Sequence, residues 1–214
     1  MTMGYAFITI MSSIGLFAER SLTRLVSVSQ RSLSSKIRRH EEYIESDGRF
    51  GKKLAYRNSY FESLYFDGSF LDYAIFEKCT FVRCDFTRTI ARHCVFRDCI
   101  FQSCQIDKTD FSFSEFSNSR FTKDINNEYI FESNFEHSSL ENATFQGVRF
   151  LSVNFTNANL SNTNFLNCNL CINNKFTFEL INANIDLETL TNSPRSKLSW
   201  LLLNKKLAAE FLSS

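Results

Sequence analysis

Between Tyr56 and Phe121 every fifth residue is apolar: Tyr56, Phe61, Phe66, Leu71, Phe76, Phe81, Phe86, Ala91, Phe96, Phe101, Ile106, Phe111, Phe116, Phe121. Two residues ahead of each stands a second column: Leu54, Ser59, Leu64, Ser69, Ala74, Cys79, Cys84, Thr89, Cys94, Cys99, Cys104, Thr109, Ser114, Ser119. Apart from two leucines, its members are small. A period of five matches neither the three-to-four-residue recurrence of a helix face nor the alternation of a strand. Two inward residues in every five require the chain to turn after each unit, with the large side chain filling the centre and the small one tucking in beside the backbone. The other three positions are mostly Glu, Asp, Lys, Arg, Ser, Asn and Thr, and face water.

The register breaks across "TKDINNEY" (122–129) and resumes one step out of phase at Ile130, Phe135, Leu140, Phe145, Phe150, Phe155, Leu160, Phe165 and Leu170. Lys175 spoils one slot, with Phe176 and Phe178 marking a local bulge, and Leu180, Ile185 and Leu190 complete the run. The preceding small slots hold Ser133, Ser138, Ala143, Val148, Val153, Ala158, Thr163, Cys168 and Ala183. The 24 phenylalanines and the single proline, Pro194, stand against an average proline content of roughly 5%, so the architecture tolerates few breaks.

The segment "ANLSNTNFLNCNL" (158–170), with the units "CDF" and "TDF", resembles the pentapeptide-repeat proteins, whose pattern is Ala-(Asp/Asn)-Leu-X-X. The resemblance covers residues 54–190. It implies an all-β fold, a right-handed quadrilateral β-helix in which four pentapeptides make one twenty-residue coil. Twenty-seven slots then give just under seven coils, and a strand spacing of about 4.8 Å gives a rod roughly 30 Å long. Each coil buries its surface only against neighbours, so the two ends need covers.

Six of the seven cysteines, Cys79, Cys84, Cys94, Cys99, Cys104 and Cys168, occupy the small slot; Cys171 does not. In the twenty-residue coil that the resemblance implies, Cys79 lies under Cys99 and Cys84 under Cys104. The coil spacing falls within disulfide reach, roughly 4.4 to 6.8 Å between Cα atoms, but parallel stacking need not supply the torsion. We read these cysteines as small apolar filling. His40, His93 and His137 are far apart in sequence, so no metal is expected.

Catalysis is not expected either. The carboxylates Asp67, Asp72, Glu77, Asp85, Asp98, Asp107 and Asp110 are interleaved with Arg83, Arg88, Arg92 and Arg97, as on a solvated, partly paired face. A filled axis offers no substrate pocket, and no phosphate-cradling glycine motif is present, so no cofactor is expected. Overall charge is +1, which advertises neither nucleic acid nor membrane. Its distribution is uneven. Residues 54–124 are about neutral, whereas 125–190 carry only Arg149 and Lys175 against Glu128, Glu132, Glu136, Glu141, Glu179, Asp186 and Glu188, a balance of −5. Asn134, Asn154, Asn159, Asn164, Asn169 and Asn184 each precede an inward residue and read as turn devices able to form stacked amide ladders.

Three segments follow: 1–53, 54–190 with its loop at 122–129, and 191–214. Residues 16–46 read as helix, with Leu22, Val26, Leu33, Ile37 and Ile44 on one stripe and Arg20, Arg24, Arg31 and Arg38 on another. This segment is a cap, a targeting signal, or a basic helix (residues 1–40) on a membrane surface. After Pro194, "SKLSWLLLNKKLAAEFL" reads as a capping or dimerisation helix, with Trp200, Leu203, Leu207 and Phe211 as the candidate homodimer contact.

The candidate binding residues are Asp124, Asn126, Asn127, Glu128 and Tyr129 of the loop, since loops on rigid scaffolds often carry recognition, together with Glu132, Glu136 and Glu141. The Phe- and Cys-rich units "CTFVRCDF" and "CVFRDCIFQSC" resemble the quinolone-resistance and topoisomerase-poison-immunity branch. That resemblance implies a cytoplasmic bacterial protein that imitates duplex DNA, binds a type II topoisomerase and makes no direct contact with nucleic acid. The alternative is a secreted or membrane-associated effector whose rod docks a protein partner.

Overall fold

The computed structural model describes residues 25–124, 129–172 and 184–185. The five-residue units wind through about six turns of an all-parallel β-solenoid. Residues twenty apart are neighbours along the axis: Tyr56 pairs with Phe76 and Phe76 with Phe96 on the first face, Phe61 with Phe81 and Phe81 with Phe101 on the second. The third and fourth faces are joined by bridges such as Tyr65 to Asp85 and Phe70 to Ile90. Every described large slot from Tyr56 to Leu170 is buried, and the rings stack in columns along the axis. On the second face the centroid distances are 4.7 Å for Phe61 and Phe81, 4.9 Å for Phe81 and Phe101, and 4.6 Å for Phe101 and Phe121.

The insertion behaves differently from a simple phase shift. Phe121 pairs with Phe145, twenty-four residues on, and Ile130 pairs with Phe150 on the next face. Four residues are therefore added at one corner and no inward slot is lost. The slots expected at 175, 180 and 190 lie outside the described residues.

The small slot is more than filling. Its side chain donates to the carbonyl of the large residue one coil back: Thr89 Oγ1 to Phe66 O at 2.8 Å, Ser114 Oγ to Ala91 O at 2.7 Å, Thr163 Oγ1 to Leu140 O at 2.9 Å. The thiols do the same, with Cys94 Sγ 2.9 Å from Leu71 O, Cys99 Sγ 3.3 Å from Phe76 O and Cys104 Sγ 3.4 Å from Phe81 O. Ser114 and Ser119 also accept, each at 2.9 Å, from the N–H of Cys94 and Cys99. A hydroxyl thus serves two backbone groups, whereas sulfur is a weak donor and a weak acceptor. All six described cysteines are free thiols.

At the N-terminal end the helix α1 (Gln30–Glu45) lies across the first coil and buries Leu33 and Ile37 in the same core as Leu54 and Leu64. Those two leucines fill small slots where no earlier coil restricts them. His40 is fully buried; its Nδ1 accepts from Leu54 N–H at 3.0 Å, and Nε2 lies 3.1 Å from Asp72 O. Gln30 clasps the backbone of Tyr65 through both ends of its amide, and Glu41 Oε1 accepts from Phe70 N–H at 3.4 Å. Together these contacts occupy backbone groups at the edge that an earlier coil would otherwise pair.

The helix is shorter than the sequence suggested. Val26–Ser27 forms a strand, β1, that pairs in parallel with Ser59 and Tyr60. The Val-Ser-Val-Ser alternation suits a strand, and the open edge supplies partners, Asn58 O and Tyr60 O, each 2.9 Å from the N–H of Val26 and Val28. Ser29 then caps α1, accepting from Ser32 N–H. Residues 16–24 and the expected C-terminal helix, with Trp200, Leu203, Leu207 and Phe211, lie outside the described residues.

Candidate interaction surface

The corners decide what the rod presents. Two residues after each large slot, from Asn58 to Asn167, the backbone is left-handed; among the described corners in that span only Lys123 departs. Asn at Asn118, Asn142, Asn157 and Asn162 suits that conformation, but Tyr73, His93 and Phe113 adopt it too, with φ of 67°, 54° and 59°. Bulky residues are disfavoured there.

On the fourth face these corners form a ladder. Ring centroids are 5.0 Å apart for Tyr73 and His93, 4.9 Å for His93 and Phe113, and 4.9 Å for Phe113 and His137. His137 Nε2 continues to Asn157 Nδ2 at 3.2 Å. Tyr73 and Phe113 remain 49% and 51% exposed. Phe70, on the fourth face, and Tyr65, on the third, are exposed as well. Sequence reasoning missed this column and left His93 and His137 apart; reading outward positions at the coil period exposes it.

Several charged positions pair across coils. Arg57 pairs with Glu77, and Arg97 bridges Glu77 at 3.4 Å and Glu115 at 2.8 Å. Arg92 holds Asp72 at 2.6 Å, and Arg83 pairs with Glu62. The amide ladder forms as well: Asn134 Nδ2 donates to Asp110 at 3.1 Å and Asn154 Nδ2 to Asn134 Oδ1 at 2.9 Å.

At the insertion, Lys123 Nζ donates to Cys104 O; one coil earlier the equivalent carbonyl, Cys84 O, accepts from Gln105 N–H at 2.9 Å. Burial pulls the Lys123 amine down to about 8. Burial also lifts the Asp107 carboxyl, with Lys123 opposing. Gly147 sits where a Cβ would come within 3.1 Å of Lys123 O, so the inserted chain presses on the next corner. Among the described residues no three metal-capable side chains converge, and no helix is long and apolar enough to cross a membrane.

The family model described as pentapeptide repeats matches in eight copies, over residues 59–98 and 133–170. Those stretches belong to the pentapeptide-repeat family. Solved structures similar to it include the pentapeptide-repeat protein Rfr23 from the cyanobacterium Cyanothece 51142, at 12% identity over 68% of this chain and 67% of that one, TM-score 0.28. HetL, involved in heterocyst differentiation regulation in Nostoc sp. strain PCC 7120, is 12% identical over 62% of this chain and 64% of its own, TM-score 0.23. QnrB1, a plasmid-mediated fluoroquinolone resistance protein, is 15% identical over 69% of this chain and 97% of its own, TM-score 0.25. Likenesses this distant carry no argument about partner or activity. No curated protein matches the chain significantly.

In this pentapeptide-repeat rod the residues singled out from sequence do not form one patch. Tyr129 lies on the third face, its hydroxyl 3.3 Å from Arg149 Nη1. Glu132 occupies the next corner, paired with Lys108 at 3.6 Å. Glu136 is on the fourth face beside His137, and Glu141 on the first. Asp124 is exposed at the insertion, while Asn126, Asn127 and Glu128 lie outside the described residues. Neighbours in sequence travel around the coil, and only residues one coil apart stack along a face. Among the described residues, no outward column carries carboxylates on two successive coils.

Proposed function

We propose that this chain is a non-enzymatic protein-binding rod whose docking surface is the aromatic corner of the fourth face. The observation that carries this reading is the ladder Tyr73, His93, Phe113, His137: rings about half exposed on a backbone that disfavours them. Ring stacking between coils accounts for part of that choice, yet the asparagines at other corners satisfy the same backbone without leaving apolar area in water. Exposed contiguous aromatic surface on a rigid scaffold is the usual ground for a protein contact. The partner segment presents apolar side chains.

The test uses the double variant Tyr73→Asn, Phe113→Asn. Asn relieves the left-handed strain, so the variant stays folded. Cross-linking and affinity capture from the native host identify what the wild-type chain holds; direct binding of the purified partner then falls by at least tenfold in the variant. Equal binding by both proteins refutes the assignment.

A second reading, a DNA-mimicking binder of a type II topoisomerase, draws on the −5 balance of residues 125–190. It requires carboxylates arrayed where phosphates would sit. Reduced supercoiling by purified gyrase on adding the protein supports it; no effect at micromolar concentration removes it.

A further inference from the structure

The loop that returns the chain from α1 to the first coil turns a phenyl ring away from the rod. Phe50 is 72% exposed, more than any other large apolar side chain among the described residues, and it lies outside the core cluster. The backbone beneath it is rigidly built. Gly51 has a φ of +74°, and a Cβ there would come within 2.1 Å of Arg39 O, so only glycine lets the chain press this closely on α1. Lys52 N–H donates to Arg39 O and Gly48 N–H to Tyr43 O, each at 2.8 Å. Ser46 Oγ accepts from Phe50 N–H at 2.8 Å, and Arg49 Nε donates to Ser46 O at 3.0 Å. These bonds fix the backbone at Phe50 and ask nothing of its side chain. A polar residue would close the same loop without leaving a phenyl in water.

The charge of the cap is a second, independent feature. Arg38, Arg39, Arg49 and Lys52 are exposed and Lys53 is half-buried. None of the five forms an ion pair among the described residues. The loop itself sets Arg49, Lys52 and Lys53 against Asp47. Over residues 25–57, eight cations meet four carboxylates. Of these, Glu41 is turned onto Phe70 N–H and Arg57 onto Glu77, which leaves Glu42, Glu45 and Asp47 to oppose seven cations. The cap is the basic end of a chain whose residues 125–190 are acidic.

We propose that the capped end is a membrane-contact surface: the Phe50 ring enters the interface of an anionic bilayer, and the cations of its loop and of α1 lie against the headgroups. Aromatic rings favour the headgroup level, and each Lys or Arg held at an anionic surface adds to the attraction. Unpaired cations spread over a loop and a helix around one apolar wedge suit a flat anionic sheet. A protein pocket for the ring would call instead for charges converging on fixed partners. This surface goes beyond the aromatic corner and does not rest on it.

Co-sedimentation of the full chain with phosphatidylcholine vesicles, with and without about one-third phosphatidylglycerol, tests this. Binding is expected with the anionic vesicles alone, and it should weaken about fivefold or more when salt is raised to about 0.5 M. Phe50→Ser is expected to weaken it about fivefold or more, and Lys52→Gln combined with Lys53→Gln about tenfold. Phe50→Ser keeps every hydrogen bond of the loop and should melt at the wild-type temperature, so that its lost binding is not lost folding. Residues 1–24 are common to all the proteins compared, so wild-type affinity in both variants overturns the proposal. Equal binding to neutral and anionic vesicles overturns it too, as does the absence of vesicle binding that a ring reserved for a protein pocket would give.

Discussion

His40 joins the cap to the rod through its two ring nitrogens, and replacing it with leucine tests that junction. His40→Leu keeps the buried volume apolar but leaves Leu54 N–H and Asp72 C=O without their partners. An unsatisfied buried group costs about 1–3 kcal/mol, so the pair is worth about 3 kcal/mol once the added apolar contact is set against it. For a chain of this size that lowers the melting temperature by roughly 6–12 °C.

The pH dependence isolates the cause. Burial pulls the His40 imidazole below its ordinary value; backbone carbonyls and Glu41 oppose the shift, and Lys53 adds to it. As pH falls through about 6.5, the unfolded chain takes up a proton that the folded chain refuses, so stability is lost on the acid side. Between pH 7 and 5.5 the wild type therefore loses part of the stability that neutral His40 contributes. His40→Leu lacks this component, whereas His93 and His137 remain in both proteins. Urea unfolding at the two pH values, followed by circular dichroism, should show the gap between wild type and variant narrowing at pH 5.5. Hydrogen exchange at the Leu54 amide reports whether the loss begins at the cap. A gap that is constant or wider at pH 5.5 refutes a neutral, doubly bonded His40.

Two further perturbations probe the small slot and the insertion. Cys99→Ser places an oxygen opposite Cys79 N–H, as Ser119 stands opposite Cys99. The denaturation midpoint should hold or rise, by up to about 1 kcal/mol, and a loss larger than that removes the double role assigned to the slot. The Lys123 amine, held to about 8 by burial, has a folded value below its unfolded one, so this group adds stability from pH 8 toward 10, while the buried thiols Cys94, Cys99 and Cys104, raised by burial, subtract it. Denaturation across that range should show the wild type gaining stability relative to Lys123→Met as pH rises; parallel curves contradict it.

The core was legible because one chemical rule, an apolar residue every fifth position, repeats without a gap from Tyr56 to Phe121. The surface was less so. Outward residues obey the coil period of twenty, which has to be inferred before Tyr73, His93 and Phe113 can be seen as neighbours, and the insertion then hides His137 by adding four. The acidic candidates Glu132, Glu136 and Glu141 look clustered in sequence because they are close along the chain, and the turns send them to different sides. Val26 fits an apolar helical stripe equally well, and only the unpaired edge of the first coil draws it into a strand. The cysteines read correctly as small, but the carbonyls their thiols face are invisible without the coil geometry.

The added residues after Thr122 leave the ring columns on either side undisturbed: Phe121 still meets Phe145 at 4.7 Å. A solenoid of this kind separates bookkeeping of the interior from length at its vertices. Any vertex whose displaced carbonyl finds a substitute donor, as Cys104 finds Lys123, is a port through which foreign sequence can be grafted. Variation in what such rods recognise can accumulate there one vertex at a time, with the hydrophobic axis unaware of it.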